Sequence, residues 1–401
     1  MDFRRLSLCM IVKDEEDCIG NCLSSIEKVV DEIIIVDTGS SDRTVEICKS
    51  FGAQVYEFPW NKSFSDARNF GLERATGDWI LWLDADEELE SSDVYKLRDI
   101  LYSDEDLLSI HLINYYGDRP EPDKTFDIAH TRLFRNHIGF KFIGKIHEML
   151  NTDEVLTIPE DGLIIKTVPI KVHHYGYMAL VTENKKKFER NLTMLLEELK
   201  QKDHNPWIHY HIASEYYNKQ EFSKAFDHVN HSIKDFLKRL QAPPSLLYRL
   251  KYSILINTGS IEGAWPGIEK VLMLYPDYVD LHFYKGIILY LKDMFKDALE
   301  TFEHCLEMGE ENLQHLTIKG VGSFQALHYK GCCLEKLGQI EEAARCYAMA
   351  ASQSKTFDSP VEALRELMAK QQDLFSPLTE DCDDETLIAK ALTIHLPKKY
   401  D

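Results

Sequence analysis

The sequence predicts two domains of different class: an α/β domain with a mostly parallel sheet, followed by an all-α domain of helical repeats. In the first half, short apolar runs alternate with segments whose apolar residues recur at helical spacing, as in strand–helix–strand units. In the second half these runs give way to pairs of helical segments at intervals of 34 to 45 residues. A chain of 401 residues is long enough for two separate cores.

The first half begins with an apolar run, Leu6 to Val12, which predicts the first strand. The run EIIIV at residues 32–36 is nearly all apolar, which suits a strand buried on both faces. Right-handed crossovers would place the carboxyl ends of these strands at one edge, where such sheets bind ligands. The predicted strands cover residues 6–12, 32–36, 54–58 and 79–83, and the predicted helices cover residues 15–29, 43–51 and 65–75.

The second half, from about Trp207, contains four similar helical units. Corresponding small or apolar residues are Ala213, Tyr252, Gly286 and Gly331, which lie 39, 34 and 45 residues apart. A period of 34 with a small residue at the contact between two helices is typical of tetratricopeptide repeats. The third and fourth units fit this pattern well and the first two are degenerate. An irregular helical domain without true repeats is the alternative.

These patterns predict four regions along the chain. The α/β domain is expected over residues 1–180, and a helical linker over residues 181–204. The helical repeats are expected over residues 205–375, and an acidic tail over residues 376–401.

Composition restricts the function further. The net charge of -21 argues against nucleic-acid binding, because a phosphate backbone attracts basic surfaces. An anionic nucleotide would therefore need a cation or a local basic patch. The nine cysteines show no zinc-binding spacing, which favours buried thiols in a reducing compartment. With neither a signal peptide nor an apolar run long enough to cross a bilayer, we expect a cytoplasmic protein.

The triplet Asp84-Ala85-Asp86 directly follows the predicted strand 79–83. Two carboxylates at this spacing can approach one hard cation, with a ribose or diphosphate completing its coordination. Alone, the triplet is weak evidence, because acidic loops are common.

Three further polar residues are expected at the same sheet edge. Arg68, on the helix before the triplet, can reach a base edge or a diphosphate. Asp37 ends the second strand, where it can accept hydrogen bonds from a base such as uracil, and Glu15 follows the first strand, where it can accept from ribose hydroxyls. Each alone is more often a helix cap or a surface ion pair. Together with the triplet they predict a nucleotide site.

The runs MIVKDEED, IIIVDTGSSDRT and FSDARNFGLERATGDWILWLDADEEL resemble an inverting family-2 glycosyltransferase with a GT-A fold. The resemblance is close over roughly the first 90 residues and loose over the rest of the first domain. One position departs from the family, whose usual Asn-Glu after the first strand is Asp14-Glu15 here. The role of Asp14 is therefore open.

This resemblance implies a nucleotide-sugar site. It implies that Asp37 and Arg68 hold the nucleotide and that Glu15 supports it. It also implies that Asp84 and Asp86 hold the diphosphate and a Mn²⁺ or Mg²⁺ ion, with Ala85 between them.

Inversion by direct displacement requires a base that takes the acceptor proton. Within the run GKIHE we favour Glu148 as this base and place His147 second. The two are adjacent, so in a strand they would face opposite ways. In the run VHHYGY, we favour His174 over His173 as a further metal ligand. Hydrogen-bonded structural histidines are the alternative.

The order of the two domains resembles the bacterial glycosyltransferases of the glycocin type, which modify ribosomally made peptides. This resemblance implies transfer of a hexose, from UDP-glucose or a similar donor, to a Cys or Ser/Thr side chain. Stacked helix pairs suit an extended peptide, although the repeats can also form a homodimer. A cell-surface saccharide acceptor, and a non-catalytic repeat scaffold with a sugar-nucleotide sensor domain, remain alternatives. The sequence leaves open the sugar, the choice of S- or O-linkage, and the choice of Mn²⁺ or Mg²⁺.

Overall fold

The computed structural model describes residues 3–157, 164–178, 185–371 and 383–393. The chain divides into two compact units, Met1–Pro120 with Asp127–Ile212 and Glu121–Phe126 with Ala213–Asp401. The predicted acidic tail, residues 376–401, lies outside the described residues except for 383–393. The predicted boundaries at residues 180, 204 and 375 stay predictions.

The strands of the described chain range in length from two to thirteen residues. They are β1 (Leu6–Val12), β2 (Glu32–Asp37), β3 (Gln54–Glu57), β4 (Trp79–Trp82), β5 (Glu87–Leu89), β6 (Leu107–Gly117), β7 (Thr125–Arg135), β8 (Phe142–Ile143), β9 (Met149–Leu150), β10 (Lys166–Met178) and β11 (Thr317–Ile318).

The helices dominate the second half of the chain. They are α1 (Ile19–Ile26), α2 (Thr44–Ser50), α3 (Phe64–Leu72), α4 (Val94–Ile100), α5 (Thr152–Val155), α6 (Lys185–Leu199), α7 (Trp207–Asn218), α8 (Phe222–Lys238), α9 (Ser245–Asn257), α10 (Ile261–Ala264), α11 (Gly267–Leu272), α12 (Val279–Leu291), α13 (Phe295–Met308), α14 (Phe324–Lys336), α15 (Ile340–Gln353), α16 (Ser359–Lys370) and α17 (Asp384–Leu392).

The main sheet of the first unit has the strand order β3-β2-β1-β4-β7-β6-β10-β5. The strand β1 pairs in parallel with both β2 and β4, and β2 pairs in parallel with β3. On the other side of β4, β7 is antiparallel to β4, and β5 is antiparallel to β10. The mostly parallel sheet predicted from the sequence is confirmed, with antiparallel strands that make it mixed. The strand order reverses beside β1, so a ligand crevice is expected at the carboxyl ends of β1 and β4.

Both faces of this sheet are covered. Along β1, Leu8 and Met10 belong to one hydrophobic cluster, and Cys9 between them belongs to another. In β2, Ile35 packs into the first cluster and Ile34 into the second. Successive side chains of a strand point to opposite faces, so the apolar run EIIIV is buried on both sides, as predicted.

The second unit contains the predicted helix pairs. Gly286 in α12 lies so close to Phe302 in α13 that a Cβ atom would be 2.6 Å from the ring. A Cβ atom at Gly331 in α14 would likewise lie 2.6 Å from the ring of Tyr347 in α15. These are the tight contacts expected in the third and fourth repeats. In the second repeat the second helix is divided into α10 and α11 at Trp265–Pro266, because proline interrupts helical hydrogen bonding.

The prediction of unpaired thiols holds for the described part of the chain. Its eight cysteines are free and at least partly buried, and Cys382 lies outside the described residues. None of the helices in that same part has both the length and the apolar composition needed to cross a bilayer.

Candidate active site

Two loops meet at the carboxyl ends of β1 and β2. Asp14 has a φ of +54°, its backbone N–H donates to Ser40 Oγ at 3.0 Å, and its carboxylate accepts the N–H of Ser41 at 2.7 Å. Asp and Asn tolerate this left-handed conformation better than most residues, so Asp14 joins the two loops structurally. Asp37 is buried and accepts the N–H groups of Gly39 at 3.2 Å and Ser40 at 3.1 Å. A carboxylate has further acceptor capacity, so Asp37 can still bind a base.

Arg68 lies at the centre of the site. The helix α3 that carries it is capped by Ser63, which accepts the N–H of Asp66. The buried guanidinium donates from Nη2 to Asp84 Oδ1 at 2.7 Å and from Nε to Glu148. Burial alone would lower the pKa of Arg68, but the two carboxylates hold it above its usual value. The third nitrogen, Nη1, is buried without a hydrogen-bond partner among the described residues.

A short hairpin, β8–β9, brings Glu148 to Arg68. The side chain of Asn69, next to Arg68 in α3, donates to Phe142 O and accepts the N–H of Phe142, both at 2.8 Å. The N–H of Phe64 donates to Lys145 O at 2.8 Å. These bonds fix the hairpin against α3.

His147 and Glu148 do not lie in a strand. They lie in the bend between β8 and β9, where His147 has a φ of +51°. The two side chains nevertheless have different neighbours, as expected. Glu148 pairs with Arg68, and the His147 ring stacks on the ring of His211 at 3.8 Å. Glu148 is therefore the candidate base that joins the charged cluster.

Arg132 is a member of the site that the sequence reasoning missed. It is buried in β7, pairs through Nη2 with Glu87, and places the same nitrogen 3.7 Å from Asp84 Oδ2. Burial raises the pKa of Glu87 to about 8 although Arg132 opposes this. Burial would also raise the pKa of Asp84, but Arg68 and Arg132 hold it well below its usual value. Arg132 directly precedes the apolar pair Leu133-Phe134 in β7, and this was the only local signal.

Trp82 connects the two arginines. The guanidinium carbons of Arg68 and Arg132 lie 4.4 and 3.7 Å from the centre of its ring. Such contacts with an aromatic face stabilise a buried cation. Asp84, the first residue of the triplet, therefore faces two arginines that both pack on Trp82, the last residue of β4.

Asp86 lies beside His174. The distance between Asp86 Oδ1 and His174 Nε2 is 3.6 Å, and His174 Nδ1 lies 2.7 Å from Asn114 Oδ1. The amide oxygen can only accept, so Nδ1 carries the proton and the neutral ring keeps a lone pair on Nε2. Burial lowers the pKa of His174, although Asp86 opposes the shift. A Cβ at Gly176 would lie 2.5 Å from His174 Nε2 and 2.6 Å from Asp86 Oδ2, so the glycine leaves the space beside both atoms open.

His173 lies on the other side of β10. Its Nδ1 is 3.0 Å from the Tyr115 hydroxyl and its Nε2 is 3.2 Å from Glu90 Oε2. Adjacent residues in a strand face opposite ways, so His174 is brought to Asp86 and His173 is not.

Glu15 is part of the same electrostatic environment. It is half-buried and accepts a hydrogen bond from the Cys18 thiol at 3.3 Å. Burial raises the pKa of Glu15 to about 7; the Cys18 bond lowers it, and the negative charges of Asp86 and Asp84 raise it further.

Residues 7–153 match the family model "Glycosyl transferase family 2". A TPR repeat-containing protein of Synechococcus elongatus is 38% identical over 177 residues, which cover 43% of this chain and 42% of that protein. The SPbeta prophage-derived glycosyltransferase SunS of Bacillus subtilis is 29% identical over 296 residues, 71% of this chain and 66% of that protein. The structure of S. aureus TarS 1-349 aligns with 62% of this chain and 86% of its own at 15% identity and a TM-score of 0.34. This chain thus spans less than two thirds of the length of both sequence relatives.

Proposed function

Because residues 7–153 form a glycosyl transferase family 2 domain, we propose that this chain is a metal-dependent inverting glycosyltransferase. In this proposal it moves a hexose from a nucleoside-diphosphate sugar, with UDP as the nucleotide, to a Cys or Ser/Thr side chain of a peptide. The observation that carries the proposal is the pair formed by Asp86 and His174 beside the open space at Gly176.

Charges of both signs surround the Asp84–Asp86 triplet. The carboxyl groups are those of Glu15, Asp84, Asp86, Glu87 and Glu148. The cations are Arg68 and Arg132, which are already paired with these carboxyl groups, and Lys187, which acts electrostatically on Glu15 and His174. A divalent ion would add the charge that stabilises the departing diphosphate.

The residues present fit such an ion. Two ligands that each lie about 2.1 Å from one ion are at most about 4.2 Å apart, and Asp86 Oδ1 and His174 Nε2 are 3.6 Å apart. The open space at Gly176 lies beside both atoms. We therefore propose Asp86 and His174 as ligands, with Asn114 fixing the imidazole. Asp84 is a weaker candidate for the same ion, because its two oxygens face Arg68 and Arg132.

The remaining residues account for the bond changes. The acceptor oxygen or sulfur attacks the anomeric carbon, the bond from that carbon to the diphosphate oxygen breaks, and the acceptor proton passes to a base. Glu148 accepts from Arg68 through Oε1, and the described residues place no donor on its other oxygen, which can take this proton. Arg68 Nη1 is a buried donor close to Asp84, available to a diphosphate oxygen.

The nucleotide and acceptor parts of the proposal rest on other residues and on the helical repeats. Asp37 keeps acceptor capacity for the N–H of a base such as uracil, and Glu15 for a ribose hydroxyl. The helical repeats support a peptide acceptor, since stacked helix pairs bind extended peptides, and they also permit a homodimer. A cytoplasmic site for the reaction stays a prediction of the sequence.

The test is turnover of a panel of UDP- and GDP-hexoses by the full chain, with and without Mn²⁺, followed by mass analysis of peptide and saccharide acceptors. We expect Mn²⁺-dependent turnover that falls at least about 100-fold in Asp86→Asn, since a metal ligand is lost. Glu46→Gln is the matched control, because Glu46 is an exposed carboxylate that pairs with Arg43, away from the proposed site. Turnover of no sugar nucleotide, or full turnover by Asp86→Asn, would refute the metal-dependent transferase. A glycosylated saccharide without glycosylated peptide would refute the peptide acceptor alone.

A further inference from the structure

A series of aromatic rings runs through the first unit from the proposed metal ligand to the proposed base. Tyr177 lies three residues after His174 in the chain, and their rings contact edge to face with centroids 5.2 Å apart. At the other end, His147 directly precedes Glu148, and its ring stacks on that of His211.

The helix α7 supplies the middle of this series. The ring of Tyr210, in this helix, lies 5.4 Å from the ring of His211. Tyr210 is also close enough to Tyr177 to act electrostatically on its hydroxyl group. Tyr177 is 47% exposed, so part of its side chain is open to solvent. The rings of His174, Tyr177, Tyr210, His211 and His147 thus follow one another, and we call Tyr177, Tyr210, His211 and His147 the aromatic wall.

The wall is uncharged at neutral pH. Burial and the facing His147 ring lower the pKa of His211 well below its usual value. The planes of the two imidazoles are 4° from parallel, a geometry that a pair of imidazolium ions would not adopt because like charges repel. His147 itself is exposed. An uncharged aromatic surface suits the C–H face of a sugar better than a phosphate.

The reaction fixes what lies between the two ends of the wall. The anomeric carbon is bonded to the diphosphate on one side and meets the acceptor atom on the other. If Asp86 and His174 hold the metal at the diphosphate and Glu148 takes the acceptor proton, the hexose ring lies between them. The aromatic wall connects the same two points. We infer that the aromatic wall forms one side of the sugar subsite and binds the C–H face of the transferred hexose. This inference rests on the proposed function.

The test compares the affinities of two ligands that differ only in the hexose. UDP and the UDP-hexose that the wild type turns over are titrated into the full chain with Mn²⁺, using wild type, Tyr177→Ala and Tyr177→Phe. We expect Tyr177→Ala to weaken binding of the UDP-hexose roughly five- to tenfold and to leave binding of UDP unchanged, because only the hexose contacts the ring. Tyr177→Phe keeps the ring and should bind both ligands as the wild type does. Tyr95→Ala, at a 78% exposed tyrosine of α4, is the control for removal of an aromatic ring elsewhere.

Each other outcome has a distinct meaning. Equal affinity of wild type and Tyr177→Ala for the UDP-hexose would overturn the inference and leave the proposed transferase standing. If Tyr177→Ala binds the UDP-hexose as tightly as the wild type does but has a raised KM for the acceptor, the aromatic wall binds the acceptor and not the hexose. Weaker binding of UDP as well would show that the substitution disturbs His174 and the metal; His211→Ala, which does not contact His174 in the described structure, then decides. If the wild type binds no sugar nucleotide, the proposed function and the inference both fail.

Discussion

Replacing Gly176 by alanine tests the proposed metal site through a single added methyl group. The Cβ would lie 2.5 Å from His174 Nε2 and 2.6 Å from Asp86 Oδ2, whereas ordinary contacts of a Cβ begin at 3.4 Å. One or both atoms must therefore move by about 0.8–0.9 Å. His174 has little freedom to move, because its Nδ1 is bonded to Asn114 at 2.7 Å. Disturbance of metal ligands of this kind costs roughly 10–100-fold in affinity or activity.

The measurement is the affinity for Mn²⁺ by calorimetry, together with Mn²⁺-dependent turnover of the sugar nucleotide. We expect Gly176→Ala to weaken Mn²⁺ binding roughly 10–100-fold. Gly176 does not have a positive φ, so alanine adds no backbone strain and the protein should fold. Gly20→Ala is the matched control, since its Cβ would meet only Ile47, at 3.8 Å. Wild-type Mn²⁺ affinity in Gly176→Ala would refute the assignment of Asp86 and His174 as ligands.

Two further predictions concern stability. The native pKa of Glu15 is raised to about 7, so its contribution to stability is present below the unfolded pKa and lost as the pH rises through about 7. After discounting for partial exposure, Glu15→Gln should stabilise the protein by about 1 kcal/mol at pH 8, which corresponds to a rise in Tm of about 2–4 °C. At pH 4 the substitution should have little effect on Tm. An equal rise in Tm at both pH values would show that the ionisation of Glu15 is not the cause. Gly286→Ala should lower the Tm, because a Cβ 2.6 Å from the buried Phe302 ring costs about 1–3 kcal/mol, more than the gain in helix propensity. Gly263→Ala is the control, because its added Cβ makes only an ordinary contact at 3.6 Å. A higher Tm in both variants would show that α12 and α13 can move apart without loss of stability.

The charged cluster shows how far local sequence information reaches. The strand before Asp84 and the helix that carries Arg68 could be predicted, since apolar runs and helical spacing are local signals. The pairing of Arg68 with Glu148 joins residues 80 positions apart, and no local pattern encodes such a distance. The same holds for Arg132, which reaches Glu87 and Asp84 only because β7 pairs with β4 in antiparallel register.

The bend at His147 was missed for a different reason. A histidine at positive φ has no strong local signal, so the sequence does not indicate a bend between β8 and β9. Its conformation is set by bonds from α3 to the hairpin, through Asn69 and Phe64. Tertiary contacts therefore decided which of the two adjacent candidate bases joins the site.

The sequence by itself determined the α/β class of the first unit, the helical pairs of the second, and the sheet edge at which the polar residues meet. Periodicity and strand ends are enough for these, because they depend on residues close together in the chain. Only the tertiary structure decided which charges are paired, which buried donors have no partner, and which glycine opens the space beside Asp86 and His174. Those properties depend on differences of a few tenths of an ångström in the distances between residues remote in sequence. They also depend on burial, which makes each charge costly to leave unpaired.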